Sequence, residues 1–69
     1  MIRKGSQVTW KWSSGIAQGK VLETYDTEVS KNIKGSEIKR KGSSDDKALY
    51  IEQSDGDKVL KLESEVEKK

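Results

Sequence analysis

The feature that most restricts the fold of this chain is the strict alternation of polar and apolar residues in Gln7-Val8-Thr9-Trp10-Lys11-Trp12. A period of two, with β-branched and aromatic residues at the apolar positions, is typical of a half-buried β-strand. Further short segments rich in β-forming residues follow, and each is bounded by residues that favour turns. The sequence therefore predicts an all-β domain.

Five strands are predicted, at residues 7–12, 16–28, 35–42, 48–52 and 58–62. The second is long and bent, and Gly19 within it indicates a bulge or the close approach of another backbone. Residues 31–35 are turn-like. The third strand carries one apolar residue among lysines, which is typical of an edge strand protected against pairing with another chain.

The hairpin between the last two strands centres on Asp55-Gly56-Asp57. Asp-Gly is a strong signal for a hairpin, and we expect a type I′ turn. These aspartates, with Asp45 and Asp46, do not have the alternate oxygen spacing over about twelve residues of a calcium-binding loop. No metal site is therefore predicted.

The chain has 69 residues, which we interpret as a single domain over 1–67 with a disordered tail at 68–69. It contains 14 Ile, Leu and Val residues and no Cys, so packing alone must stabilise it. A short helical turn at 63–67 is expected to lay its one apolar residue over the core. The predicted core residues are Val8, Trp10, Val21, Leu49, Ile51, Val59 and Val66.

Composition excludes several classes of protein. No apolar run reaches the roughly 18 to 20 residues that cross a bilayer, and no apolar stretch of the signal-peptide kind follows Met1-Ile2-Arg3-Lys4. We expect a cytoplasmic protein without a membrane partner. The chain also lacks His, the usual general acid or base near neutral pH. We therefore expect no catalysis, no cofactor and no small-molecule substrate.

Several motifs resemble one known family. They are Gly-x-x-Val-x-Trp from Gly5 to Trp10, Gly-Lys-Val from Gly19 to Val21, and the run from Asp55 to Lys61 that closes on Ser64-Glu65-Val66. Together they resemble the Tudor-domain family of hypervirulence-associated proteins over nearly the whole chain. The resemblance implies a five-stranded, strongly bent antiparallel barrel of the SH3/Tudor-like kind with a short C-terminal helical turn. It implies a binding fold and names no ligand.

The chain departs from that family near its fourth strand. Relatives tend to carry a proline and, two residues later, a tyrosine where this chain has Lys47-Ala48-Leu49, and here the tyrosine comes one place later, at Tyr50. A shift of one residue in a strand moves a side chain to the opposite face. We therefore expect Tyr50 to point outward while Leu49 and Ile51 enter the core.

Aromatic residues are the first candidates for binding. Trp12 ends the first strand, where it either packs or lines a groove at the barrel end, and the sequence leaves both alternatives open. Tyr25 and Tyr50 join it only if the bends of the chain bring all three to the same end. The Tudor resemblance implies that such aromatics hold a methylated cation by cation–π attraction.

Basic residues are the second candidates. Residues 30–42 carry five basic side chains against the single acid Glu37, and the densest run is Lys39-Arg40-Lys41. Such a stripe can neutralise phosphates and give salt-dependent binding to nucleic acid. The alternative is an edge strand guarded against aggregation.

These observations lead to three functional hypotheses. The first is a binding module that engages nucleic acid or a protein segment through Trp12, Tyr25, Tyr50, Lys39, Arg40 and Lys41. The second is an accessory protein that acts through self-association or a specific protein partner. The third is a reader of methylated cations, which rests on the family resemblance alone.

Overall fold

The computed structural model describes residues 2–12 and 14–68, and all their regular structure is β-strand apart from one turn of 3₁₀ helix. The strands are β1 (Gln7–Trp12), β2 (Gly15–Tyr25), β3 (Glu28–Ile33), β4 (Ser36–Lys41), β5 (Ala48–Gln53), β6 (Lys58–Leu62) and β7 (Glu67–Lys68). The 3₁₀ turn covers Glu63–Glu65. No helix in the described part of the chain is long and apolar enough to cross a membrane. The all-β prediction is confirmed.

Antiparallel pairing arranges the strands in two open sheets. Five strands follow the order β6-β5-β2-β1-β7, and β3 pairs only with β4. The predicted five-stranded, strongly bent barrel is therefore not confirmed. After a bend at residues 26–27 the chain leaves the larger sheet, and the β3–β4 hairpin lies beside β6 without strand pairing to it.

The largest difference from the sequence-based prediction lies at residues 28–33. The sequence predicts one strand from 16 to 28 and a turn at 31–35, whereas β2 ends at Tyr25 and β3 occupies 28–33. In β3 the half-buried Val29, Lys31 and Ile33 alternate with exposed residues. A lysine at the centre of the inner face hides this alternation, because a period-two pattern is recognised by its apolar residues.

A tight turn joins β3 to β4. Lys34 and Gly35 both have positive φ angles, of 52° and 80°, and the flanking Ile33 and Ser36 are paired. Two central residues with positive φ define the type I′ turn. This turn type, predicted for the Asp-Gly hairpin, therefore occurs at Lys34-Gly35.

The Asp-Gly hairpin between β5 and β6 adopts a different turn from the predicted one. The Gly56 N–H donates to the carbonyl oxygen of Gln53 at 2.9 Å, and the Gln53 N–H donates to that of Asp57 at 2.7 Å. Gly56 has a φ of 92°, while Asp55 is not in the positive-φ region. The loop is thus a three-residue connection whose glycine is left-handed, rather than a type I′ turn.

Two irregularities shape β2. An ideal Cβ on Gly19 would lie 2.5 Å from the Cγ2 of Ile51 and 2.7 Å from the carbonyl oxygen of Glu52, so this glycine allows the close approach of β5. The pairing register with β5 then shifts between Val21 and Glu23, where a bulge inserts one extra residue. After the bulge Glu23 lies opposite Tyr50, so the end of β2 presents a new set of side chains to each face.

The core lies on one face of the larger sheet. Leu49, Ile51, Val8 and Val21 are its largest fully buried side chains. Trp10 and Val66 are also buried, and Val59 is half-buried against the same cluster. The sequence analysis did not single out Ile2, which joins this cluster, or Ala48 and Leu60, which are buried on the opposite face with Tyr50.

The end of the chain is fixed by the loop before β5. The carboxylate of Asp46 accepts hydrogen bonds from the Ser64 N–H and the Ser64 hydroxyl, both at 2.8 Å. These hydrogen bonds stabilise the 3₁₀ turn, and Val66, which follows it, is buried in the core. The sequence predicts a helical turn here that places Val66 over the core. Lys68, predicted to belong to a disordered tail, instead pairs with Val8 in β7, while Lys69 lies outside the described residues.

Candidate functional site

Trp12 lies at the turn end of the β1–β2 hairpin. Alternation along β1 places it on the same face as the buried Val8 and Trp10. Trp12, however, pairs with Gly15, the first residue of β2, beyond the end of the core, and it is 57% exposed. The sequence leaves open whether Trp12 packs or lines a groove, and in the structure Trp12 is not buried in the core.

Ile16 is the second exposed apolar side chain of this hairpin, and the sequence analysis did not single it out. It lies opposite Lys11 and is 68% exposed. Because Lys11 and Trp12 are neighbours in one strand, Ile16 and Trp12 point to opposite faces. Its position directly after Gly15, a residue type that favours turns, is the sequence signal that could have found it.

Two clefts meet at this hairpin end. The larger, which we name the Trp12 cleft, has a volume of about 620 Å³ and lies between Trp12, Ala17 and residues 53–55, at the end of β5 and in the turn after it. The smaller, which we name the edge groove, has a volume of about 350 Å³ and lies between Thr9–Lys11 and Ser64–Glu67. Trp10 and Ile16 border both. The exposed apolar side chains therefore adjoin concave surface rather than flat surface.

Tyr25 and Tyr50 lie away from this hairpin end, and the rings of both contact the side chain of a lysine of the same chain. The ammonium nitrogen of Lys31 lies 5.1 Å from the centre of the Tyr25 ring and 5.0 Å from that of Tyr50, within the range of cation–π attraction. The pKa of Lys31 is raised above its ordinary value of 10.5, mainly because its side chain hydrogen-bonds to that of Tyr25. The β2 bulge places the ring of Tyr25 on the same face of the sheet as that of Tyr50.

The structure therefore separates the three candidate aromatics. Tyr25 is the last residue of β2 and Trp12 pairs with the first, so the two lie at opposite ends of one strand. Tyr50 lies on the face opposite to Leu49 and Ile51, as its position in the sequence predicts, and it is half-buried beneath Lys31. Trp12 does not join the tyrosine pair.

The basic residues Lys39, Arg40 and Lys41 do not all lie on the same face of β4. Arg40 faces inward and forms an ion pair with Glu65, with 3.5 Å between its Nε and a carboxylate oxygen. Lys39 and Lys41 lie on the exposed outer face of β4, opposite Ser30 and Glu28. Of the other two basic residues of this region, Lys31 lies between the tyrosines and Lys34 pairs with Asp57 at 2.8 Å.

Metal ligands do not cluster in the described part of the chain. Within residues 2–12 and 14–68, no three Asp or Glu side chains are grouped so that they could hold an ion. The aspartates of the β5–β6 turn have structural contacts instead, since Asp55 accepts a hydrogen bond from the Asp57 N–H at 3.0 Å.

The sequence model of the family described as the Tudor domain of hypervirulence-associated proteins matches residues 5–66. The chain belongs to this family. The resemblance drawn from the sequence motifs is thus confirmed, and this Tudor domain includes Trp12, Ile16 and both tyrosines within the matched region. No curated protein and no solved structure gives a significant match.

Proposed function

We propose that this Tudor domain is a non-catalytic module that binds a segment of another protein at the hairpin end of β1 and β2. One observation carries the proposal. Trp12 and Ile16 are exposed, whereas the other large hydrophobic residues of the described chain are buried or half-buried. Exposed apolar side chains beside concave surface mark interaction sites, and Trp is enriched among residues that dominate binding energy.

Nucleic-acid binding has less support. Three of the five basic side chains at residues 30–42, those of Lys31, Lys34 and Arg40, are occupied by partners within the chain. Only Lys39 and Lys41 present their charge on the outer face, and Lys41 lies opposite Glu28. Because each phosphate contact contributes to affinity through counterion release, two lysines supply a weak electrostatic site.

A methylated-cation reader has a different difficulty. The tyrosine pair, which could hold an external cation, already surrounds the ammonium of Lys31. An incoming cation must displace the Lys31 ammonium from both rings. The exposed Trp12, which pairs with the first residue of β2, lies at the opposite end of that strand from Tyr25 and cannot complete this site.

The test is selection of a phage-displayed library of random linear peptides on the immobilised domain. We expect enriched peptides that lose binding on Trp12→Ser and on Ile16→Ser and keep it on Lys39→Ala. Both apolar residues are mostly exposed, so the variants should fold, which their amide NMR spectra verify. Failure to enrich any peptide, or equal binding to all variants, contradicts the proposal.

A second arm addresses nucleic acid. The domain is titrated with a mixed pool of short single- and double-stranded oligonucleotides at low and high salt. Affinity that falls steeply with salt, and that the double variant Lys39→Ala/Lys41→Ala abolishes while Trp12→Ser leaves it unchanged, would replace the proposed function with nucleic-acid binding.

A further inference from the structure

We infer that the bound segment adds as a β-strand to the open edge of β1, with an acidic residue opposite Lys11 flanked by two apolar residues. The inference rests on the proposed function and specifies the partner chemistry of the same site.

The edge of β1 is only partly covered. β2 pairs with all six residues of β1, but β7 pairs only with Val8 and Thr9. In an antiparallel strand, alternate residues direct their backbone N–H and C=O groups to the two sides. The groups that point away from β2 within Trp10–Trp12 therefore meet no strand in the described part of the chain. Such an edge is a template for pairing with another chain.

The edge groove provides room for an added strand. It lies along this uncovered part of β1, with Thr9–Lys11 on one side and Ser64–Glu67 on the other. A strand added at the usual spacing of about 4.8 Å would enter it where the β7 pairing ends. The segment would then continue the larger sheet beyond β1.

Pairing on this edge fixes which side chains meet. The residue opposite Lys11 shares its face, and the residues before and after it share the face of Trp10 and Trp12. Lys11 is exposed and forms no ion pair with a described residue. A carboxylate opposite Lys11 and β-branched residues opposite the tryptophans are the favourable cross-strand partners. The preferred pattern is apolar, acidic, apolar.

A second copy of the chain is a poorer occupant. Antiparallel pairing of Trp10–Trp12 with the same segment of another copy places Lys11 opposite Lys11. Like charges directly opposite each other are destabilising. The charge therefore favours a different protein.

The test compares two peptides, acetyl-Thr-Val-Glu-Val-Thr-amide and its Val-Lys-Val counterpart, by NMR titration of the whole domain. We expect the Val-Glu-Val peptide to shift the Trp12 indole and the Lys11 amide and to bind about fivefold more tightly, the effect of one favourable cross-strand charge pair. Lys11→Glu, which lies on an exposed position, should reverse the preference.

Backbone methylation tests the strand itself. Methyl groups are placed on the nitrogens of alternate residues of the peptide, in each of the two alternating patterns. An added strand requires that one pattern abolishes binding while the other leaves it unchanged, because only alternate N–H groups face β1. Equal effects of the two patterns, or a preference that Lys11→Glu does not change, overturn the inference.

The remaining outcomes separate the inference from the proposed function. If neither peptide shifts Trp12 but the library yields Trp12-dependent peptides without the apolar-acidic-apolar pattern, strand addition is wrong and the binding site stands. If the library yields none, the proposed function fails. A mass that doubles with concentration, and does not in Trp12→Ser, overturns the inference in favour of a dimer.

Discussion

The ammonium nitrogen of Lys31 lies 5.0 Å from the centre of the Tyr50 ring and thereby joins the two sheets of the molecule, since Lys31 is in β3 and Tyr50 in β5. Lys34 and Arg40, from the same β3–β4 hairpin, reach Asp57 and Glu65. No strand pairing joins the two sheets within the described residues. Three cationic side chains therefore supplement the packing that holds this hairpin in place.

The first prediction concerns this contact. Lys31→Ala should increase amide hydrogen exchange in β3 and β4, because the hairpin loses its attachment to the tyrosines, and should leave exchange in β1 unchanged. Lys31→Arg, which keeps a cation over the rings, should retain most of the protection. Lys39→Ala is the matched control on the exposed face. Equal exchange in Lys31→Ala and Lys39→Ala would show that the contact does not hold the hairpin.

The second prediction concerns pH. The pKa of Lys31 is raised by its hydrogen bond to Tyr25, and the pKa of Lys34 is raised by its hydrogen bond and attraction to Asp57. A group whose pKa is higher in the folded state stabilises it fully below the unfolded pKa and loses this effect as the pH rises through the folded pKa. The melting temperature of the native chain should therefore exceed that of Lys31→Ala/Lys34→Ala at neutral pH, and the difference should shrink above about pH 10.5. A difference that grows with pH would show that the sign is wrong.

Much of the fold can be predicted from the sequence because most strands carry their signal locally. β1 has the alternation of its own residues, and its predicted bounds agree with the structure. β3 lacks such a signal, because its inner face consists of Val29, Lys31 and Ile33. Lys31 can occupy an inward-facing position only because it contacts tyrosines that are distant in the sequence. The sequence therefore predicts no separate strand at β3, where a tertiary contact replaces hydrophobicity, and it also misses the two-residue β7.

Only part of the candidate site can be predicted from the sequence, for the same reason. That Trp12 is exposed follows from how far the core extends along β1, which the alternation alone does not give. That Trp12 and Tyr25 lie apart follows from the length and bulge of β2. The pairing of Arg40 with Glu65 depends on where the chain end returns. These features depend on contacts and distances between residues far apart in the sequence. The sequence indicates which residue types take part, but not which of them come together.

The third prediction concerns Gly19. Gly19→Ala should destabilise the domain by about 1–3 kcal/mol, because the added methyl group meets the backbone of Glu52 and the side chain of Ile51 in a closely packed region. Gly15→Ala is the matched control, since a Cβ there meets nothing within 4 Å, and it should change stability by less than about 0.5 kcal/mol. Urea denaturation measures both. A Gly19→Ala variant as stable as Gly15→Ala would contradict the close approach of β2 and β5.

The fourth prediction concerns the wall of the edge groove. Asp46→Ala removes the acceptor of two hydrogen bonds from Ser64 and should lower the free energy of unfolding by about 1 kcal/mol. Because Ser64 belongs to the turn that places Val66 in the core, the Val66 methyl resonances should shift and amide exchange in β7 should increase. Asp45→Ala changes the net charge equally at an exposed neighbouring position and should have little effect. If both variants behave alike in urea denaturation and in NMR, the Asp46 contacts do not fix this turn, and the shape of the groove must depend on the packing of Val66 itself.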